Sequence, residues 1–417
     1  MKSKNLKRIA INFLVTLIFI YSYGGLFLIP NSSFTRGIIF SPGPLVVLIL
    51  LLFIFSQTFI TRKKGLNKPR INFFLPILFF CLLNLLSFVY LLFYKNVNDR
   101  TILTGLETAL ASLIYIPLAQ LVENTDDIEI DKIFNIVSFI AIVSISIQIF
   151  YANYSNIMLL KSFDLSKLSN RNGGYRVQFF DPLVSIYILN NFNKLLKSLK
   201  LKYVTPIFIG LCYLLFISQT RSILIFVLIA LAVDYVLNLG AEISKGKISV
   251  FSLVSVIPII GGLMYFLKMV ASQLYKPIQD GTYLNDGSYF ARIGEITYYA
   301  TEIKKSIFFG LGNFSVESSD SVWWSIVHGP TGYYYTQDIG ILGDIARLGI
   351  GVIPIYLVIL YVMYKQQKRR LHGAYYGYII IMLGAIGNYS LLNNGFALGL
   401  ILYFNEYYSR KGKNVNE

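Results

Sequence analysis

Charged side chains make up only 14% of the 417 residues, while 55% are hydrophobic and mean hydropathy is +0.60. A water-soluble protein carries roughly 25% charged residues, so this chain has too little polar surface to cover itself in water. A soluble enzyme, a secreted disulfide scaffold and a disordered chain are excluded on that ground. Cysteine is nearly missing: Cys81 and Cys212 both fall inside apolar runs, which implies small core residues and no disulfide framework. Histidine is as scarce, with only His328 and His372, so no Cys/His cluster is at hand for zinc. No G-x-x-x-x-G-K-[ST] string occurs. The expected chemistry therefore uses neither ATP nor a protein-held metal, and no cofactor is called for.

What the chain does have is a series of apolar runs of roughly 17–24 residues, the length that crosses a bilayer as helix. Twelve candidate spans are read at 9–29, 38–60, 71–94, 101–122, 133–153, 177–192, 203–218, 222–240, 248–267, 348–364, 373–391 and 395–408. The sixth is short and contains Asp181-Pro182, and the twelfth is shorter still. Lys2, Lys4, Lys7 and Arg8 precede the first run, but it is too long for a signal peptide and no small-residue cleavage site follows, so it reads as an anchor. The expected fold is an all-α polytopic integral membrane protein with both termini on one side.

The net charge of +16 would raise the question of nucleic acid in a soluble protein. Its distribution answers differently. Residues 1–8, 61–70, 123–132, 193–202, 241–247, 365–372 and 409–417 together hold 23 of the 37 Lys and Arg, which places them in the cytoplasm by the positive-inside rule. The acidic segment ENTDDIEIDK at 123–132 dissents, but acidic residues contribute little to orientation. No nucleic acid is needed as a partner. The chain then divides into 1–267, with nine spans and a basic external loop at 154–176; a long external segment, 268–347; and 348–417, with three spans and a cytoplasmic tail. Long connections are usually functional. Within the long one, FARIGEITYYATEIKKS predicts a helix whose apolar face is Ile293, Ile296, Ala300 and Ile303, ended by the two glycines of FGLGNF.

The external face holds no tight carboxylate cluster, and what stands out on it is a set of arginines and one histidine. Arg171 and Arg176 lie in SNRNGGYR, Arg221 in ISQTRS between two apolar runs, and Arg292 at the start of the loop helix. Guanidinium forks bind phosphate oxygens bidentately, so converging arginines beside a membrane suit a lipid-linked pyrophosphate. The plain alternatives are a snorkelling Arg221, an ordinary Arg292–Glu295 surface pair and solvated loop charges at Arg171 and Arg176. His328 is the one external histidine and a natural proton carrier, or else an ordinary hydrogen-bonding residue; His372 reads as cytoplasmic and solvated. Glu107 and Asp181 lie near the external ends of their spans, facing a cavity or paired as ions; Asp234 lies toward the other end. Trp323, Trp324, Tyr298, Tyr299, Tyr333, Tyr334 and Tyr335 make the long segment aromatic. Such faces pack on sugar rings, with Trp323, Trp324 and Tyr334 as the candidates, or form an interfacial belt.

This arrangement resembles the Wzy-type polysaccharide polymerases and O-antigen ligases. The likeness lies in SQTRS at an outward helix end, then Arg292 in the first helix of a long external loop. SIFFGLGNF follows, similar to the superfamily's proline-led glycine stretch, with Ser306 where proline is usual. His328 then leads into HGPTGYYYTQDIGILGDIARLGIGVIPIY. The matched region covers roughly 218–364. The resemblance implies a metal-independent, inverting glycosyltransferase of GT-C type in a bacterial plasma membrane, with its active site outside. It would join lipid-linked repeat units, the donor being a glycan on undecaprenyl pyrophosphate, in contact with membrane lipid and open to a chain-length regulator. Arg221 and Arg292 match the pyrophosphate-binding arginines by position, and His328 the loop histidine; Glu295 is a second candidate base. The paired arginine-and-glycine loop repeats of the polymerases are not recognisable here. A ligase moving finished glycan to a lipid or protein, a lipid-linked sugar flippase or transporter, and a peptidoglycan-type glycosyltransferase are the competing expectations.

Overall fold

The computed structural model describes residues 2–30, 41–60, 71–95, 101–124, 129–160, 165, 168–171, 174–198, 200–244, 268, 287–313, 321–332, 334–368, 376–388 and 394–411. The first half of the chain forms α1 (Lys2–Ser22), α2 (Pro42–Ile60), α3 (Phe74–Val89), α4 (Thr101–Leu110), α5 (Tyr115–Asn124) and α6 (Ile130–Ser155). A small antiparallel hairpin of β1 (Ser169–Arg171) and β2 (Gly174–Arg176) follows, with Ser169 opposite Arg176. Next come α7 (Asp181–Ser198), α8 (Val204–Cys212) and α9 (Arg221–Ser244). The remainder forms α10 (Gly287–Ile303), α11 (Ser321–His328), α12 (Gly340–Leu348), α13 (Val352–Lys368), α14 (Gly377–Asn388) and α15 (Gly395–Lys411).

Among the described residues five stretches are long and apolar enough to cross a bilayer: Phe74–Phe93, Ile102–Val122, Ile130–Ser155, Leu201–Ser218 and Arg221–Gly240. They coincide with the third, fourth, fifth, seventh and eighth candidate spans. On α3, Leu75, Phe79, Leu82 and Leu86 are exposed while Ile77, Phe80 and Asn84 are buried. A contiguous apolar outer face of this kind is unsuited to water and suited to lipid, so the protein has the make-up of a helical membrane protein. Shorter apolar helices run Pro42–Gln57 and Gly377–Gly387. The ninth candidate span, 248–267, lies outside the described residues.

The two weakest candidate spans prove to be the innermost helices. The Asp181-Pro182 pair that shortened the sixth is a helix start, since proline fits the first turn, and α7 is buried on every side from Asp181 to Asn193. The twelfth extends to Lys411 as α15, and its residues from Phe396 to Glu406 are almost all buried. The tenth starts later than expected, because Gly349, with φ 77°, separates α12 from α13.

The helices pack as two compact units, one of residues 1–74, 111–227 and 396–411 and one of 75–110, 228–395 and 412–417. In the first, Phe134 of α6 packs edge-on against Phe19 of α1 at 5.3 Å and lies 5.1 Å from Phe404 of α15. Gly210 lets α8 close on α7, for a Cβ there would meet Ile188 at 2.5 Å. Polar bonds hold one end of α7: Asn190 Nδ2 donates to Asp131 Oδ1 (2.5 Å), and Lys194 Nζ sits 2.7 Å from Asp131 Oδ2. Glu406 of α15 accepts from Tyr115, Arg410 and Asn72.

The second unit is organised by a backbone splice. The N–H of Leu311 donates to the Ala346 carbonyl (2.6 Å), that of Gly312 to Arg347 (3.0 Å) and that of Ile350 to Ile307 (2.8 Å). Carbonyls in the last turn of α12, which have no partner within the helix, are thereby satisfied. Gly310 and Gly349 both have positive φ, and a Cβ at either would overlap the opposing backbone, which is why glycine stands at both places. Asn313 then anchors the segment. Its backbone N–H donates to Ser87 Oγ (2.7 Å) and its amide to Asn84 Oδ1 (2.5 Å) and the Gly105 carbonyl (3.3 Å). Asp234 serves as a distant cap, its Oδ1 accepting the Gly377 N–H at the start of α14 (2.9 Å). Replacing Asn313 with Ala removes the amide that bonds Asn84 Oδ1 and the Gly105 carbonyl and leaves both buried without it, while the backbone N–H to Ser87 is kept. We expect a loss of about 1–3 kcal/mol, read as a lower melting temperature of the detergent-solubilised protein, with Asn84→Ala giving a loss of the same sign.

Candidate functional site

The sequence candidates divide between the units. Arg171, Arg176 and Arg221 belong to the first, and Arg292, Glu295, Trp323, Trp324, His328 and Tyr334 to the second.

In the second unit the site is built from α10, α11 and the turn after α11. Tyr298 and Tyr299 on α10 donate their hydroxyls to the carbonyls of Ile326 (3.1 Å) and Val327 in the last turn of α11. The Tyr299 hydroxyl also reaches the Tyr334 carbonyl (3.1 Å). The turn closes on itself, with the Tyr334 N–H donating to the His328 carbonyl (2.9 Å). Gly329 and Gly332 take positive φ within it, and side chains at Gly294 or Gly329 would overlap Tyr334. The two glycines of HGPTG thus have a steric cause: the Tyr334 ring occupies the space a side chain at Gly329 would need, and the Trp324 ring that at Gly332.

His328 is held from three directions. Its Nδ1 lies 2.9 Å from the Trp324 carbonyl, its ring stacks on Trp324 at 4.5 Å, and Tyr335 meets it edge-on at 5.4 Å. A carbonyl can only accept, so Nδ1 carries the hydrogen and Nε2 is the atom left with a lone pair in the neutral ring. Only 4% of His328 is exposed. Glu295 is likewise buried, and its Oε1 accepts the Tyr335 N–H (3.1 Å) while Oε2 is buried with no hydrogen-bond partner among the described residues. Tyr335 therefore links the two candidate bases: Glu295 holds its backbone and His328 touches its ring. Burial raises the Glu295 carboxyl above the ordinary range; the Tyr335 N–H opposes this, Asp338 adds to it, and Arg292 opposes it again.

Arg292 is exposed on α10, close enough to act electrostatically on Glu295. Trp324 is 43% exposed, so one aromatic face beside His328 remains open. Trp323 lies on α11, but its side chain is outside the description, as are Tyr333 and His372. Ile293, Ile296 and Ala300 of the expected apolar face do share one side of the loop helix, and that side is turned outward. Ile293 and Ile296 are exposed, and α10 instead buries Glu295 and Tyr299 against the rest of the unit. The packing partners here are tyrosine hydroxyls and a carboxylate, which a hydropathy pattern does not register.

Reading the sequence also passed over Asp344 and Arg347. Both are buried on α12; Asp344 Oδ2 accepts the Tyr356 hydroxyl (2.5 Å), and Arg347 acts electrostatically on Asp344 and Tyr299. Their signal was an acid and a base three residues apart at the mouth of an apolar run.

In the first unit, ISQTRS forms a break between helices, where Gln219 adopts φ 56° and α9 starts at Arg221. Ser218 and Thr220 donate to Asp181 Oδ2 (2.5 and 2.7 Å), and Arg176 acts on the same carboxylate electrostatically. Arg221 is exposed at the next position, and Arg171 lies opposite Gly174 in the hairpin. Glu107 is half-buried on α4 of the other unit. Among the described residues no three His, Cys, Asp or Glu side chains converge to hold a metal ion.

No protein-family model matches the chain, and no curated protein matches it.

The raised Glu295 carboxyl ties stability to pH. Between the ordinary carboxyl range and its own raised value, the folded protein holds a proton that the unfolded chain has released. Stability from this group is therefore greatest at low pH and falls as pH rises through that window. The melting temperature of the wild type relative to Glu295→Gln should decline from acidic to neutral pH; a constant difference would mean that Glu295 does not titrate in that window.

Proposed function

We propose that the protein is a glycosyltransferase that joins lipid-linked oligosaccharide repeat units on the outer face of a bacterial plasma membrane. The observation that carries this reading is the Glu295–Tyr335–His328 cluster, in which two proton acceptors are fixed on one tyrosine beside an open Trp324 face. Such a set can position a sugar hydroxyl and take its proton, while the indole offers a platform for a pyranose ring.

In the proposed reaction an acceptor hydroxyl attacks the anomeric carbon of the donor sugar. The new C–O bond forms on the face opposite the breaking bond to phosphate, so configuration inverts. The hydroxyl proton passes to His328 Nε2, with Glu295 as the other group able to receive it. Undecaprenyl pyrophosphate leaves with the bonding electrons, its charge met by the guanidinium of Arg292. Arg171, Arg176 and Arg221 of the first unit are the further phosphate-binding candidates, and Trp323, Trp324 and Tyr334 the sugar-binding ones. The fold in this reading is of GT-C type with twelve spans and both termini cytoplasmic.

The test is gel profiling of surface and lipid-linked glycans from a strain lacking the protein, complemented with wild type, His328→Ala or Arg292→Ala. Wild type should restore a ladder of long chains. His328→Ala should leave single repeat units, since loss of an acid–base group costs roughly 10²–10⁴-fold in rate. Long lipid-linked polymer persisting in the null strain overturns polymerisation in favour of ligation to another acceptor, and repeat units trapped on the cytoplasmic leaflet would make the protein a flippase.

A further inference from the structure

Helix α10 has two faces of opposite character. At 100° per residue, Glu295 and Glu302 fall on the side opposite Ile293, and Tyr299 close to it. The first side packs into the second unit, with Glu295 and Tyr299 buried. The other side presents Phe290, Ile293 and Ile296, which are 54%, 44% and 47% exposed, with Ala300 exposed between them. A stripe of this kind along about three turns of helix is costly in water, at roughly 25 cal/mol for each Å² of apolar surface.

The segment after α10 shows what covers it. Phe308 is 75% exposed and Phe309 43%. Phe309 stacks on Tyr90 with ring centroids 5.2 Å apart and planes 11° from parallel. Tyr90 belongs to the last turns of Phe74–Phe93, one of the stretches long and apolar enough to cross a bilayer. The Ile307 carbonyl meanwhile takes the N–H of Ile350, two residues ahead of α13, whose Leu357, Val358 and Tyr361 are exposed in turn. Residues 307–309 are thus fastened to the ends of two helices with apolar outer faces, and α10 stops only four residues earlier. Lys95, above the Tyr90 ring at 5.7 Å, and the Glu302–Lys305 pair mark the same level with charge, as at a headgroup boundary.

We propose that α10 and Phe308 dock on the bilayer itself, with Phe290, Ile293, Ile296 and Phe308 inserted at the boundary between headgroups and acyl chains, so that α10 is an interfacial helix anchored by its outward stripe. The occupant is bulk membrane lipid, because the stripe continues the lipid-suited surface of α3 and α13 in the same unit. The consequence is a fixed depth for the opposite face: Glu295 and the tyrosines that hold α11 stand one helix diameter, about 10 Å, above the acyl region. This inference does not rest on the glycosyltransferase reading.

Spin labels tell whether the stripe is in lipid. The protein, with Cys81 and Cys212 replaced by Ala, is labelled at Ile293→Cys, Ile296→Cys or Phe308→Cys, with Lys305→Cys as the aqueous reference. It is then reconstituted into phosphatidylcholine–phosphatidylglycerol vesicles. The accessibility ratio of oxygen to a water-soluble nickel chelate should be several-fold higher at the three stripe positions than at position 305. Equal ratios overturn the proposal by placing the stripe in water. Exclusion of both relaxers at positions 293 and 296 also overturns it, since a protein surface would then cover them. If the cysteine-free protein does not fold, Ile296→Trp in the native background is read with brominated lipid: quenching beyond that of wild type supports insertion, and none overturns it.

Discussion

A hydrogen-bonding group on the backbone must find a partner, and inside apolar surroundings it must find one within the protein. The second unit meets that demand at one place above all, where the chain from Ile307 to Gly312 bonds to the chain from Ala346 to Ile350. The bonds use the carbonyls that α12 leaves open at its end, and they work only because Gly310 and Gly349 bring no side chain between the strands. Everything that positions the candidate site is referred to this splice. It fixes α10 on one side through three intervening residues and α12 on the other, and Asn313 ties it to Asn84 and Ser87 of α3.

The same device recurs at smaller scale around His328. Helix α11 is only eight residues long and would be marginal alone. It is held because Tyr298 and Tyr299 donate to carbonyls in its last turn, and because the turn beyond it closes over the Tyr334 ring. The Tyr299 hydroxyl is bonded to this turn and also acts electrostatically on Arg347. The histidine therefore sits on a short element made rigid by its neighbours, as a group whose geometry matters must.

Much of this was legible in the residues. The apolar runs located the helices among the described residues; the glycines of FGLGNF marked a turn; and His328, Glu295, Trp324 and Tyr334 were singled out and lie in one region. Hydropathy made α7 and α15 the faintest of the spans because it measures suitability for lipid, and a helix wrapped by other helices is free to carry Asn190, Asn193, Asn405 and Glu406. Periodicity found α10 and its apolar face but not which side packs, since the packed face is defined by hydroxyls and a carboxylate whose partners are backbone groups 28 to 40 residues away. Asp344 and Arg347 were overlooked for a related reason: a charged pair declares itself buried only when the surrounding chain is in place.

The buried character of α15 bears on how the protein is made. This helix supplies Phe396, Phe404 and Glu406 to the interior of a unit whose other parts are synthesised long before it. Until it arrives, Tyr115 and Asn72 lack their carboxylate, Phe19 lacks the Phe396 ring and Phe134 the Phe404 ring. The interior of the first unit is thus completed only when α15, far along the chain from its partners, is in place.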